Sequence, residues 1–477
     1  MSRPARIVLN DAIVRLDGIS PRMTVLDWLR GPMALRGTKE GCAEGDCGAC
    51  TVLCERLDDR GGVMSVPFNA CLAMIGQLAG QGIRTIEGLP AANGALHPVQ
   101  RAMVESDATQ CGFCTPGLVM SIAAYAAGGE GADGALVHDA LAGNLCRCTG
   151  YRPIFEAAMA SAGLPPEERA IGTGATAGLL SEIAGSDIAD ASFLVPASLA
   201  ELLALRKAHP EAVLLAGGTD LGLLASRDRQ PPAKLIHLAR VAELNRLHEN
   251  GGYIEIGAAV PYERALALVA RHWPSFGQLL RRLGSRQIRN LGSFGGNLGT
   301  ASPIGDTLPV LLAIEAEIVL AGVEGSRSLP VDRLITGYRQ TALKPDEVIV
   351  AVRLPRPQPD EILMCAKVSK RRDQDISAVC AGFRLRLADN VVGNARLAFG
   401  GMAAIPARAA AAERLLIGLR FGLDPIEPAI AALGSDFTPL DDVRGTAAYR
   451  IAVAQGLLRR LWLQGGGSRM PLEVDEL

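Results

Sequence analysis

Residues 5–16 alternate apolar and polar positions like a strand, and with the segment after Gly18 they are expected to form a hairpin. Thr24 stands in the capping position ahead of VLDWLR, so a short helix is expected there. Thr51–Arg56 reads as a strand leading into an acidic, glycine-containing turn, and Val66–Cys71 returns from it. From Leu96 the pattern becomes helical. HPVQRAMVESDATQ is amphipathic, and LVMSIAAYAA follows Thr115 and Pro116, read as an N-cap with proline in the first helical position. IFEAAMAS forms a further helix. Residues 163–190, rich in Gly, Pro, Ala and acidic side chains, read as a partly disordered linker. A strand and a helix started by Ser198 open the next region, and a second strand, AVLLA, runs into Gly217-Gly218. From about Glu361, three strand patterns (ILMCAKVSK, SAVCAGFRLRLA and NARLAFGGM) precede helical stretches at ARAAAAERLLIGL and TAAYRIAVAQGLLRRLWLQ. Gly465–Ser468 and the acidic end read as a frayed tail.

Composition narrows the function classes. At 477 residues the chain is long enough for about three domains, and its 49% hydrophobic content is ample for their cores. Its 48 basic and 50 acidic residues leave a net charge of −2, and aromatics make up 4%, which argues against a nucleic-acid surface. No apolar run of membrane-spanning length and no signal-peptide core appear, so a cytoplasmic protein without a membrane partner is expected. Nine of the 11 cysteines precede position 150, and in a large chain of this kind they predict metal ligation in a reducing compartment. The six histidines show no metal-ligand spacing.

The cysteine spacing carries the chemistry. GCAEGDCGACTVLC places Cys42, Cys47 and Cys50 in a C-x4-C-x2-C array, with Cys71 beyond a turn-rich segment. A plant-type [2Fe–2S] cluster takes three ligands from such a tight loop and a fourth from a later segment. A zinc knuckle or a disulfide loop is the alternative, but zinc sites favour CxxC pairs over an x4 gap. A few strands around one helix, with this loop at the edge, is the β-grasp arrangement of plant-type ferredoxins. Cys54 falls inside a strand and is expected in the core, as are Cys365 and Cys380. Further on, Cys111 and Cys114 (C-x2-C) and Cys146 and Cys148 (C-x-C) lie in two short loops beside helix ends. Facing one another, these loops can complete a second set of four thiolates. Gly129–Gly134 has the form G-x-G-x-x-G but follows a helix, so it reads as a turn and not a dinucleotide site.

GCAEGDCGAC, then QCGFCTPG, then GNLCRCTGYRPI, in that order, resembles the iron–sulfur module of the molybdenum hydroxylases, the xanthine dehydrogenase/aldehyde oxidase family. The resemblance covers essentially all of residues 1–160. It implies an α+β multidomain fold: a β-grasp plant-type ferredoxin domain (1–86), a four-helix [2Fe–2S] domain (87–162), the linker (163–190), a vanillyl-alcohol-oxidase-type FAD domain (191–358) and an α+β C-terminal flavoprotein domain (359–477). The helical domain's cluster would lie nearer the molybdenum and the ferredoxin cluster nearer the flavin.

Two tracts rich in glycine, LLAGGTDLG and GSRQIRNLGSFGGNLGTASPIGDTLP, resemble the flavin-binding segments of the same family. The resemblance places Leu215, Ala216, Gly217, Gly218, Thr219, Asp220, Leu221 and Gly222, together with Ser293, Phe294, Gly295, Gly296 and Asn297, along the FAD diphosphate and ribose. It gives Asp306 a hydrogen bond from the adenosine end, lays Ile349 on the flavin and sets Lys367 beside the isoalloxazine. The charged run Lys370–Asp375 would border the flavin and govern NAD access, and Leu283 stands where family members often carry an aromatic residue.

The implied function is electron transfer in an oxidoreductase. A molybdopterin-binding large subunit would oxidise the substrate, and this chain would pass electrons through two [2Fe–2S] clusters to FAD and then NAD, in a dimer of heterodimers. No residue of this chain would take part in substrate hydroxylation. Having clusters and flavin in one chain favours xanthine as the substrate within the family. An aldehyde or another N-heterocycle is the alternative, and outside the family the alternatives are a stand-alone iron–sulfur flavin reductase and a non-catalytic redox sensor.

Overall fold

The computed structural model describes residues 5–91, 93–172 and 174–467. It divides into two compact units: residues 1–241 with 284–292, and residues 242–283 with 293–477.

The first unit opens with a five-stranded sheet. Its strands are β1 (Arg6–Leu9), β2 (Ala12–Arg15), β3 (Thr51–Leu57), β4 (Val63–Asn69) and β5 (Gly82–Arg84), in the order β2-β1-β5-β3-β4, with β1 and β5 parallel. One helix, α1 (Val25–Arg30), starts at Thr24, whose hydroxyl accepts the Asp27 N–H at 3.0 Å. Val25, Leu26, Trp28 and Leu29 of this helix are buried against the sheet with Val52, Phe68 and Ile83. This is the expected β-grasp arrangement, but the first hairpin turns at Asn10 and Asp11, both in the left-handed region (φ 49° and 65°), and not at Gly18.

Four helices follow: α2 (Pro98–Glu105), α3 (Thr115–Gly128), α4 (Gly134–Leu141) and α5 (Arg152–Ala162). The ten residues Gly117–Ala126 of α3 are all buried, so this helix is apolar all round and forms the axis on which the others pack. Gly129, in the left-handed region (φ 74°), ends it. The cap at its start is Cys114 and not Thr115, which is the first helical residue. A candidate ligand sulfur therefore sits at the positive end of the helix.

The stretch 163–190 departs from its reading as a linker. It contains α6 (Pro166–Arg169) and α7 (Gly174–Ile183), and in α7 Thr176, Leu180 and Ile183 share one face by their spacing of four and three. Leu180 and Ile183 are buried with Val8, and Thr176 donates to Asp11 at 2.6 Å, so the segment is part of the sheet's packing. Bulk composition hid this face because alanine and glycine fill four of the other seven positions of the helix.

A parallel three-stranded sheet completes the unit, in the order β6 (Phe193–Leu194), β8 (Leu235–His237), β7 (Val213–Leu215), with α8 (Leu199–Ala208) capped by Ser198. The short helix α9 (Gly222–Ser226) follows β7.

The second unit holds an antiparallel five-stranded sheet, in the order Gly325–Pro330, Glu317–Gly322, Val348–Pro355, Tyr253–Gly257, Leu247–Glu249. A four-stranded antiparallel sheet is built from Glu361–Val368, Val379–Ala388, Val391–Gly400 and Ala407–Arg408. Its core, with Phe383, Leu397 and Phe399, is closed by the helices Ala410–Leu416, Glu427–Asp436 and Ala447–Gly465. Gly465 is the last residue of the final helix rather than frayed chain, and Ser468 and the acidic end lie outside the described residues. No helix among the described residues is long and apolar enough to cross a membrane.

Candidate redox site

The loop between α1 and β3 carries the first thiol set. Ala43, Gly45 and Gly48 adopt positive φ (57°, 77° and 68°), which folds the loop back on itself. A Cβ on Gly45 would meet Leu72 Cδ1 at 2.4 Å, and one on Gly48 would meet the Gly143 carbonyl oxygen at 2.1 Å, so neither position has room for a side chain. The backbone N–H groups of Glu44, Asp46 and Cys47 point at Cys42 Sγ, at 3.4, 3.4 and 3.3 Å. The hydrogen bond from the Cys47 thiol, with these N–H groups adding to it, brings the Cys42 pKa down to about 5, and the same pairing pushes Cys47 up. Cys50 and Cys71, both buried, form a second such pair in which Cys50 is lowered and Cys71 raised.

The second set lies beside α3 and α5. Cys111 and Cys148 are exposed, with their sulfurs 3.5 Å apart. Cys114 pairs with Cys146, and burial followed by that thiol neighbour pushes Cys114 up to about 12. Cys146 is held from both ends: its sulfur contacts Thr149 Oγ1 at 3.1 Å and its N–H donates to the Tyr151 hydroxyl at 2.9 Å. Tyr151 carries a positive φ of 67° at the start of α5, a conformation unusual for a bulky residue.

The eight thiols thus associate two by two: 42 with 47, 50 with 71, 111 with 148, and 114 with 146. Among the described residues no group of three or more His, Cys, Asp or Glu is placed to hold one ion. A mononuclear zinc site needs four ligands around one point, whereas a [2Fe–2S] cluster takes two thiolates on each of two irons. The pairing and the converging N–H groups fit the cluster.

Polar residues that the sequence reading did not single out tie the two sets together. Leu145 N–H donates to the Cys47 carbonyl at 2.9 Å, and Asn144 Nδ2 donates to the Gly48 carbonyl at 3.0 Å. Gln287, fully buried, donates through Nε2 to Asn144 Oδ1 at 2.9 Å and Ser121 Oγ at 3.1 Å. The sequence signal for this network is the density of polar residues in GSRQIRN, within the tract that resembles a flavin-binding segment.

The first glycine tract leaves β7 beside the first thiol set. A Cβ on Gly217 would lie 1.7 Å from the Leu291 carbonyl oxygen, and one on Gly222 would lie 2.2 Å from the Leu72 carbonyl oxygen. Leu72 follows Cys71. Gln77 Nε2 donates to the Gly217 carbonyl at 3.2 Å. Thr219 is half-buried and Asp220 exposed, and the Gly222 N–H bonds to Gly218 at 2.6 Å.

In the second unit, Ser293 caps the helix Phe294–Thr300 by accepting the Gly296 N–H at 3.1 Å. Gly295 lies so close to Ala258 that a Cβ would approach its Cβ to 2.5 Å, and Asn297 Oδ1 accepts from Thr307 at 2.6 Å. The structure brings two expected flavin residues together. Lys367 Nζ lies 2.7 Å from Asp306 Oδ2 and also donates to the Arg282 carbonyl at 3.1 Å, while Ser377 Oγ donates to Asp306 Oδ1 at 2.5 Å. Both charged side chains are buried, so each depends on the other. Ile349 stands on the other sheet, at the register shift between Val319 and Leu320. The charged loop folds on itself, with Arg371 donating to the Gln374 carbonyl and Asp375 accepting the Arg371 N–H.

Comparisons with known proteins agree with this arrangement. Residues 85–159 match the [2Fe-2S] binding domain family, residues 188–357 the FAD binding domain in molybdopterin dehydrogenase, and residues 365–464 the CO dehydrogenase flavoprotein C-terminal domain. The xanthine dehydrogenase of Emericella nidulans is 33% identical over 96% of this chain, and xanthine dehydrogenase 1 of Arabidopsis thaliana is 32% identical over 90%. The chain spans 38% and 37% of the lengths of these two relatives. Among solved structures, a carbon monoxide dehydrogenase from Hydrogenophaga pseudoflava aligns with a TM-score of 0.55 at 28% identity, over 59% of this chain and 98% of that one. Quinoline 2-oxidoreductase from Pseudomonas putida 86 aligns with a TM-score of 0.53 at 25% identity, over 59% and 99%.

Fold and domains together define an iron–sulfur flavoprotein, with [2Fe–2S]-binding and FAD-binding domains in one chain. More particularly, the chain belongs to the molybdenum hydroxylase family.

Proposed function

We propose that this chain is the electron-transfer subunit of a xanthine dehydrogenase, working with a molybdopterin-binding partner subunit and delivering electrons to NAD in the oxidation of hypoxanthine and xanthine to urate. The observation that carries the relay is the position of the first thiol loop. On one side the Cys47 carbonyl is bonded to Leu145, the neighbour of Cys146. On the other, Leu72, the neighbour of Cys71, lies against Gly222 of the glycine tract. Hydrogen bonds from Leu145 and Asn144 make the first joint and a backbone contact makes the second, so the order runs from the helical set through the ferredoxin set to the flavin tract.

In this reading Cys42, Cys47, Cys50 and Cys71 hold one cluster, and Cys111, Cys114, Cys146 and Cys148 hold the other. Leu215–Gly222 and Ser293–Asn297 bind the FAD diphosphate and ribose. When bound, the clusters supply one-electron steps and the flavin supplies the two-electron exchange with NAD. The chain's own residues set the conditions. The N–H groups of Glu44, Asp46 and Cys47 stabilise negative charge on Cys42, and the N-terminal end of α3 does the same for Cys114. Asp306 and Lys367, 2.7 Å apart, belong to one end of the flavin: Asp306 fixes the Lys367 ammonium beside the isoalloxazine and does not reach the adenosine end, while Ile349 packs on the ring. The domain limits proposed are those read from the sequence, with 163–190 acting as packed structure rather than a free tether.

The 33% identity to a named xanthine dehydrogenase over 96% of the chain favours a purine substrate. The likeness to carbon monoxide and quinoline enzymes supports a second reading, the same relay serving another molybdenum hydroxylase. The experiment is xanthine-dependent NADH formation by this chain isolated from its source with whatever co-purifies. NADH formation with a molybdenum-containing subunit present is expected. Turnover with quinoline or an aldehyde but not with xanthine would move the assignment to the second reading.

A further inference from the structure

A cavity of about 260 Å³ in the first unit is lined by Arg56, Gln77, Gln81, Asp187, His237 and Arg240, with small residues between them. Most of these polar groups are already committed. Arg240 pairs with Asp187 at 3.5 Å and donates to the Ala79 and Ser186 carbonyls. Gln77 Oε1 accepts the Met74 N–H at 2.9 Å, and its Nε2 holds the Gly217 carbonyl. Gln81 donates to the Gln77 carbonyl at 3.0 Å and accepts from the Cys54 thiol at 3.0 Å.

Two donors remain. The Arg56 guanidinium has no hydrogen bond or ion pair among the described residues, and its Nε is shut away from water without a partner. A shielded cationic N–H of this kind calls for a ligand, because desolvation without a partner is unfavourable. His237 is buried, and its ring makes no hydrogen bond among the described residues. Burial lowers its pKa to about 4, so at neutral pH it is uncharged and offers one N–H. The two arginines and one aspartate leave the lining with a net formal charge of +1.

We propose that this cavity is a binding site for a small tetrahedral oxyanion of the phosphate or sulfate class, with Arg56 as its charge partner and the His237 ring as a second donor. An arginine fork matches the paired oxygens of such an ion. The volume lies below the ~300–1,000 Å³ of pockets that take drug-sized ligands, which suits a free ion with a few waters and not a nucleotide. The site is separate from the thiol sets, and the Gln77 side chain links its wall to the Gly217 carbonyl.

The test uses the complex with its clusters and FAD bound, inorganic phosphate as the probe, and potassium chloride at matched ionic strength as the reference. Phosphate should raise the melting temperature by about 2–4 °C over chloride. Arg56→Met should abolish the rise, and Arg56→Lys, which keeps the charge but loses the fork, should retain only part of it. Far-UV circular dichroism and the visible cluster spectrum check that the variants are folded. If Arg56→Met does not fold, an Arg56→Lys response equal to that of the natural chain overturns the proposal. So does an equal phosphate response in Arg56→Met, or no phosphate-specific rise in the natural chain. A larger rise with AMP than with phosphate would assign the cavity to a nucleotide and overturn the free-ion reading.

Discussion

The two thiol sets have the same number of sulfurs and the same two-by-two pairing, yet they differ in exposure: the first has two buried and two half-buried cysteines, the second two exposed, one half-buried and one buried. In the first, Cys50 and Cys71 are 2% and 1% exposed, and the loop is bonded on one side to Leu145 and packed on the other against Gly222. In the second, Cys111 and Cys148 are open at the surface. A set with no sulfur fully exposed has its neighbours fixed largely by folding. A set with two sulfurs at the surface has an open side where another protein can be met. On the proposed function, this contrast would give the relay a direction, with the exposed set meeting the partner subunit and the more enclosed set beside the flavin tract.

The largest change in stability is expected in the glycine tract itself. A Cβ at Gly217 lies 1.7 Å from the Leu291 carbonyl oxygen, and backbone cannot yield as a flexible side chain would. Gly217→Ala should cost about 3 kcal/mol and lower the FAD content of the purified protein, while both cluster signals persist. Denaturant unfolding and flavin absorbance measure the two effects. Loss of a cluster with flavin retained would undo the assignment of the tract.

The joint between the sets comes next. Gln287→Leu leaves Asn144 and Ser121 without their shared donor in a buried space, at a cost of about 1–3 kcal/mol. Hydrogen exchange should show the Gly48 and Leu145 region opening, and electron exchange between the clusters should slow. An unchanged exchange rate would mean that the network holds the fold but not the relay.

Exposure also predicts an order of loss. Titration with an iron chelator should remove the cluster at Cys111 and Cys148 several-fold faster than the one at Cys50 and Cys71, as followed by the two cluster signals. Simultaneous loss would erase the contrast on which the direction rests.

The smallest effect lies away from both sets. Arg327 hydrogen-bonds Glu347 and holds its pKa at about 2, below its ordinary value of 4.5. Because the folded value is the lower one, the contribution to stability is complete above pH 4.5 and disappears as pH falls towards 2. Glu347→Gln should therefore reduce protection of Val348–Pro355 at pH 7, and its difference from the natural chain should shrink through that window. Neither cluster signal should change.

Ligand spacing was legible in the sequence because three of the first four cysteines sit in one loop and each later pair sits in another. The Thr24 cap and the all-apolar helix α3 were legible because capping and periodicity are local signals, whereas the hairpin turn at Asn10 and Asp11 was masked by an unbroken alternation of apolar and polar residues. Long-range partnerships were not. Asp306 and Lys367 are 61 residues apart, and Gln287 reaches Asn144 across 143 residues, distances over which periodicity carries no information. The helix Gly174–Ile183 was hidden by its composition, and one position of helix capping, Cys114 for Thr115, was decided by the thiol loop and not by the Thr-Pro signal.

The most direct test of the relay approaches it from both ends in a Cys148→Ser variant of the complex, with paramagnetic resonance confirming that the second cluster is lost. NADH should still reduce the flavin and the first cluster at the natural rate. Xanthine should no longer reduce the flavin. Flavin reduction by xanthine at the natural rate, with the second cluster absent, would contradict the account.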